Sequence, residues 1–176
     1  MNRIEFNKNA ICIVDSMRID DLVKKALLSD EGKYRLCLHP DDQNMLHESI
    51  IVTTKNDHSH FIHKHMETSE FNMIIRGKLL IVLFDEVGNI SQAFVLEAGK
   101  KLLFRINSNQ YHLAVPLTDI VVFLETKQGP FRKEKNILPI WACGGTDTKV
   151  SIQKAMEMIN DLAWEEKHDF LQHTMH

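Results

Sequence analysis

From Ser49 to Pro130 the chain is a succession of short β-patterned segments, each bounded by turn residues. Ser49–Thr54, Phe71–Arg76, Leu79–Asp85, Ile90–Leu96, Leu102–Ile106, Tyr111–Val115 and Ile120–Thr126 are rich in β-branched, aromatic and leucine residues. Glu86-Val87-Gly88-Asn89, Ala98-Gly99-Lys100, Asn107-Ser108-Asn109 and Gly129-Pro130 break them apart. Nothing with a helical period separates consecutive strands, so the parallel sheet of alternating β-α-β units is excluded. A mainly β, antiparallel sandwich or barrel is what such a pattern can build.

Residues 79–84 and 120–124 are apolar on both faces, whereas a sheet with one wet face alternates. Both faces must be covered, by a second sheet on one side and by terminal segments or another subunit on the other. A homodimer is the expectation drawn from this.

Two stretches have a helical period. Ile19, Leu22, Val23, Ala26 and Leu27 form one stripe over Ile19–Leu28, with Asp20 and Asp21 in the first turn and Gly32 as the stop. Val150, Ile152, Met156, Ile159, Leu162, Ala163 and Phe170 recur within 147–171, with Asp147, Thr148 and Ser151 as candidate N-caps. Ile11–Val14 and Tyr34–Leu38 read as further short strands. The chain divides into an N-terminal arm and helix (1–33), a barrel (34–142) and a C-terminal helical extension (143–176), together one structural domain.

The 176 residues suit one domain with a real core. A net charge of −3, with both signs dispersed, gives no electrostatic reason for a nucleic-acid or membrane partner. Cys12, Cys37 and Cys143 are an odd, widely spaced set without C-x-x-C spacing, as in reduced cytosolic proteins. MNRIEFNKNA lacks the apolar run of a signal peptide, and the expected location is cytoplasmic.

Chemistry concentrates in DHSHFIHKHMETSEFNMIIRG, 57–77. His63 and His65 have one parity and point the same way on a strand, while His58 and His60 have the other. Thr68 and Ser69 supply a turn, and Glu70 opens the returning strand. Two imidazoles and a carboxylate on such a hairpin can converge on a divalent metal. His112, at the start of a later strand, is the best candidate for a further ligand, with His39 and His47 as weaker choices. Iron, manganese, nickel and zinc all suit nitrogen and oxygen donors. His168, His173 and His176 read as solvated.

The pattern His63-x-His65-x4-Glu70-x6-Gly77, followed later by His112, resembles the two sequence motifs of the cupin superfamily. The resemblance implies a double-stranded β-helix, the cupin jelly-roll barrel, holding one divalent metal on His63, His65, Glu70 and His112. More narrowly, YRLCLHP, HFIHKHMETSEFNMIIRGKLLIVLFDEVGN, NQYHLAVPL, FLETKQGPFR and WAC look like the WbuC-type cupin metalloproteins, small bacterial proteins associated with surface-polysaccharide biosynthesis. That similarity covers most of Tyr34–Ala142 and leaves both flanks outside it.

The function expected is a metal-dependent enzyme on a small polar metabolite such as a sugar or nucleotide-sugar, with isomerase- or epimerase-like chemistry. An iron(II)-dependent dioxygenase and a non-catalytic, metal-stabilised binding cupin are the alternatives. Tyr111, His39 and Glu125 are the candidates for moving a proton, and Arg35, Arg76 and Lys127 for binding substrate. Glu125 and Lys127 share a strand face, and Arg76 precedes Gly77 at a tight turn.

Overall fold

Alternation along one central strand organises the molecule. In the computed structural model, which describes residues 3–57, 61–130, 136–142, 152–157 and 160, strand β10 (Ile120–Gln128) lies between β3 (Leu46–Thr54) and β5 (Glu70–Arg76), antiparallel to both. Beyond β3 come β2 (Lys33–Cys37) and β1 (Ile4–Phe6), and beyond β5 comes β8 (Leu103–Ile106), giving one six-stranded sheet. A second sheet has β6 (Lys78–Phe84) between β7 (Ile90–Glu97) and β9 (Tyr111–Pro116). A two-stranded ribbon pairs β4 (Lys64–His65) with β11 (Asn136–Ile137).

Because side chains alternate along each strand, the two sheets make three apolar layers. Val121 and Phe123 of β10 pack with Ile51, Ile74, Leu79, Ile81 and Leu96 between the sheets. On the far side of the large sheet, Val122 and Leu124 pack with Tyr34, Leu36, Ile50 and Val52 beneath helix α1 (Ser16–Leu27), which contributes Leu22, Val23 and Ala26. On the far side of the small sheet, Leu80, Val82, Phe84 and Leu113 pack with Ile62, Trp141, Ile152 and Ala155. Strands that are apolar on both faces are thus covered by the chain's own ends. The observation from which a homodimer was expected is met within one chain.

Helix α1 begins earlier than its apolar stripe. Asp15 is the N-cap, its carboxylate accepting from the Arg18 N–H at 2.8 Å. Asp20 and Asp21 therefore fall in the second turn, and Asp21 pairs instead with Arg18 and Lys25 on the same helix face. The helix ends at a C-cap Leu28 in right-handed conformation, ahead of Gly32. Ile11–Val14 does not form a strand: Ile11 and Ile13 are 75% and 79% exposed in irregular backbone. The first strand is instead β1, parallel to β2, with Glu5 bridged to Lys25 and Arg18 of α1.

Apart from the two-residue β11, for which the sequence shows no strand pattern, the remaining strands differ from their sequence patterns by at most a few residues at each end. Residues 152–157 and 160 are helical, within the expected C-terminal helix; the rest of that expectation falls outside the described residues, as do Cys143, His58, His60, His168, His173 and His176. Cys12 and Cys37 are unpaired thiols. Among the described residues no helix is long and apolar enough to cross a membrane.

Candidate metal centre

Three histidines meet between the sheets. His63 and His112 pair across β9 as an isolated antiparallel bridge, the His63 N–H donating to the His112 carbonyl at 3.1 Å and the His112 N–H to the His63 carbonyl at 2.9 Å. His65, two residues on, shares the face of His63, and its carbonyl accepts from the Asn109 N–H at 2.6 Å. Asn109 takes the left-handed conformation (φ 63°) that lets the loop after β8 turn back into β9. One ligand nitrogen of each of His63, His65 and His112 lies within 4.8 Å of the others, close enough for all three to coordinate one ion.

The tautomers suit that role. The Nδ1 of His63 faces the Phe61 carbonyl at 3.2 Å, and the Nδ1 of His112 faces the Gln110 carbonyl at 3.0 Å. A carbonyl only accepts, so each Nδ1 carries the proton and each Nε2 keeps its lone pair for a metal. Burial, then the neighbouring imidazoles of His112 and His65, pushes His63 down to about 3. His112 is lowered as well, chiefly by burial. His63 is therefore neutral at pH 7, the form in which imidazole binds metals.

Glu70 opens β5 beside this cluster and is 6% exposed. Its Oε2 accepts from His65 Nε2 at 3.0 Å and its Oε1 from Asn72 Nδ2 at 2.7 Å. Burial opposes its ionisation, but the hydrogen bond from His65, then the neighbouring His112 and the charge of Lys127, hold the carboxyl well below its ordinary range. The three imidazoles form a donor set that could hold a divalent ion of the first transition row, and the ionised Glu70 carboxylate stands beside them, hydrogen-bonded to His65.

A cavity of about 190 Å³ opens from the cluster into the space between the sheets. His63, Glu70 and His112 line it together with apolar side chains of both sheets, among them Ile51, Leu79, Ile81 and Phe123. Its polar wall includes Lys33 and Arg35 of β2, Asn72 of β5, Glu125 and Lys127 of β10, and Asn136 of β11. Glu125 Oε1 lies 3.5 Å from Arg35 Nη2 and 3.4 Å from Lys127 Nζ. Burial raises the Glu125 pKa, but Lys127 and then Arg35 outweigh it, and the net shift is downward.

Of the residues expected to move a proton or bind substrate, Arg35, Glu125 and Lys127 line this cavity. The others point elsewhere. Tyr111 has the opposite parity to His112 and packs on the outer face of the small sheet against Trp141, with Lys64 over its ring at 4.3 Å. Arg76 is directed to α1, where its Nη2 lies 2.9 Å from Asp20. His39 packs against His47 with ring centroids 4.2 Å apart and planes tilted by 58° near the β2–β3 turn, and neither lines the cavity. Lys33 and Asn72 were not anticipated, although each shares the parity of a residue that was, Arg35 and Glu70 respectively.

Comparison with known proteins bears on the fold. A family model described as a domain of unknown function, DUF6016, matches residues 14–96. No curated protein matches. Protein SO0799 from Shewanella oneidensis superimposes with a TM-score of 0.52 at 13% identity, over 68% of this chain and 82% of its own. Lactobacillus farciminis oxalate decarboxylase, solved as a formate complex, aligns with a TM-score of 0.44 at 18% identity, over 54% of this chain and 27% of its own. This chain therefore matches only about a quarter of that enzyme's length. Two mainly antiparallel sheets face each other around a cluster of His63, His65 of β4 and His112 of β9. The fold is a jelly roll. Among the described residues its sheets are not joined into a continuous hydrogen-bonded barrel.

Proposed function

We propose that His63, His65, Glu70 and His112 hold one divalent metal ion and that the adjoining cavity binds a small polar metabolite for metal-assisted chemistry. The observation that carries this reading is that Nδ1 of both His63 and His112 is committed to a backbone carbonyl, which leaves each Nε2 lone pair free, while one ligand nitrogen of each of the three histidines lies within 4.8 Å of the others beside an open cavity. When bound, such an ion polarises a ligand oxygen or lowers the pKa of a hydroxyl or water. Asn72 fixes one oxygen of Glu70, so the carboxylate presents its other oxygen toward His65. Glu125, held ionised between Arg35 and Lys127, is the group placed to accept a substrate proton.

The cavity is smaller than the roughly 300–1,000 Å³ of drug-sized sites, which favours a small metabolite over a nucleotide-sugar. The similarity of the motif to WbuC-type cupins supports isomerase- or epimerase-like chemistry on a sugar-derived compound. Elemental analysis of tag-free protein tests the metal. About one equivalent in the wild type, and none in a His63→Ala/His112→Ala variant that remains folded, supports the site. A wild type that takes up no divalent metal on reconstitution overturns it.

A further inference from the structure

We propose that Phe61 is the specificity-determining residue of the cavity at the metal centre, its ring selecting metal-binding ligands that carry a flat apolar body over those that do not. The inference deepens the metal-centre reading and rests on it, since the ion would hold the ligand's other end.

Alternation carries Phe61 to the site. Phe61, His63 and His65 follow one another at a spacing of two, and Ile62 between them packs into the outer apolar layer with Leu80 and Val82. Phe61 is thereby turned inward, where it lines the cavity together with His63. Its ring centroid lies 4.9 Å from that of His63, with the planes tilted by 47°. Of the three clustered histidines, His63 is half-buried and the other two are buried, so Phe61 stands at the side of the cluster nearest solvent.

The ring also leaves apolar surface uncovered. Phe61 is 47% exposed, whereas every other described residue that lines the cavity is buried or half-buried. Among the described residues it belongs to none of the three apolar layers that hold the fold together. It is therefore not core filler: it packs on an imidazole and presents the rest of its surface at the cavity mouth. A ligand body laid against that surface removes it from water, which favours binding in proportion to the area covered. A flat aromatic body gains further from offset or edge contact with the ring.

The rest of the lining suits a ligand with two unlike sides. Among the described residues the small sheet lines the cavity with Leu79, Ile81, Ala114 and, at the cluster, His112. The large sheet adds Asn72 and Glu125, which can pair with polar groups on the ligand's edge. The ligand that fits has a metal-binding oxygen, a flat apolar face and a polar edge.

The ring can be removed without loosening the donor set. The contact that orients His63 runs from its Nδ1 to the Phe61 carbonyl at 3.2 Å, and that carbonyl belongs to the main chain. A change of side chain at position 61 leaves it in place.

Calorimetric titration of the full chain, loaded with whichever of zinc, cobalt(II) or manganese(II) it takes up, tests this with acetohydroxamate and benzohydroxamate. Both chelate a metal through the same two oxygens, and they differ in carrying a methyl or a phenyl group. The wild type binds benzohydroxamate about tenfold more tightly, the scale of one aromatic contact. Phe61→Ala lowers that ratio several-fold and leaves acetohydroxamate affinity and metal stoichiometry unchanged. Phe61→Leu, which keeps apolar area without a ring, retains part of the ratio, and it keeps the test open should the alanine variant fail to fold. A ratio near one in the wild type overturns the proposal, as does a ratio that is unchanged or raised when the ring is removed. Failure of both hydroxamates to bind the loaded chain also overturns it. Metal uptake without dependence on Phe61 refutes the role of Phe61 alone. A chain that takes up none of the three metals refutes the metal reading, and the role of Phe61 falls with it.

Discussion

His63 and His112 are joined twice, by a pair of backbone hydrogen bonds at 3.1 and 2.9 Å and by imidazole rings whose centroids lie 4.4 Å apart. The backbone pairing sets the distance between the rings and needs neither side chain. Replacing His112 by alanine is therefore expected to leave the bridge and the fold in place while removing one metal donor. In thermal melts, saturating metal should raise the midpoint of the wild type, by the equivalent of about 2.7 kcal/mol at a hundredfold excess over Kd. The melting midpoint of His112→Ala should not respond to metal.

Asn72 carries a quieter role. Its amide holds Glu70 Oε1 at 2.7 Å, and both side chains are buried. Asn72→Ala should lower metal affinity by about 10- to 100-fold, as for other groups that orient a ligand, because Glu70 is left free to rotate. Competition with a chelator of known affinity measures this. Asn72→Asp should be worse than Asn72→Ala, since it sets a second carboxylate against the first.

The metal-free protein should lose stability as pH falls below neutrality. His63 titrates at about 3 when folded and near its ordinary 6.5 when unfolded, so between those values the unfolded chain binds the extra proton. Stability contributed by neutral His63 is present above pH 6.5 and drains away as pH falls toward 3, by up to about 1.4 kcal/mol per pH unit. The lowered pKa of His112 acts in the same direction. Urea midpoints of metal-free protein at pH 7.5 and 5.5 should differ, and His63→Gln should flatten the difference.

The clustering of the three histidines was legible in the sequence because its determinants are local. His63, His65 and Glu70 depend on parity and one turn, and His112 stands just after a turn built on Asn109. The stripe of α1 was legible for the same reason, since a helix face needs only a period. What escaped is non-local. Arg76 looks like a site residue until α1 packs nearby and offers Asp20, fifty-six positions away. The β1 strand of three residues has no pattern of its own and exists because β2 presents an open edge for parallel pairing. Tyr111 is the exception: its parity opposite His112 already argued for the outer face, and alternation applied strictly would have placed it there.

Helix α1 is expected to be an integral part of the fold rather than an appended arm. Leu22 is fully buried beneath the large sheet among Tyr34, Ile50 and Val52. Leu22→Ala should cost about 2–5 kcal/mol, the range for a leucine deleted from a packed core. A shifted urea midpoint, with no change in metal stoichiometry at low denaturant, would show that this layer supports the site without touching it.

Gly77 links β5 to β6 and so joins the two sheets around the cavity. Its φ of +84° is one that side chains rarely adopt, and the space around it is closed. A Cβ there would run into the Ile120 carbonyl oxygen and come within 2.5 Å of Thr118 Oγ1. That hydroxyl accepts from the Lys78 N–H at 3.0 Å and donates to the Ile120 carbonyl at 2.9 Å, so displacing it breaks the turn's own hydrogen bonds. Gly77→Ala should therefore destabilise by more than the about 1 kcal/mol separating glycine from alanine in regular structure, with backbone strain of about 1–3 kcal/mol and a steric term added. Chemical denaturation measures the loss. A substitution at Gly99, which also has positive φ (82°) but faces open space, should show the strain without the collision and cost less.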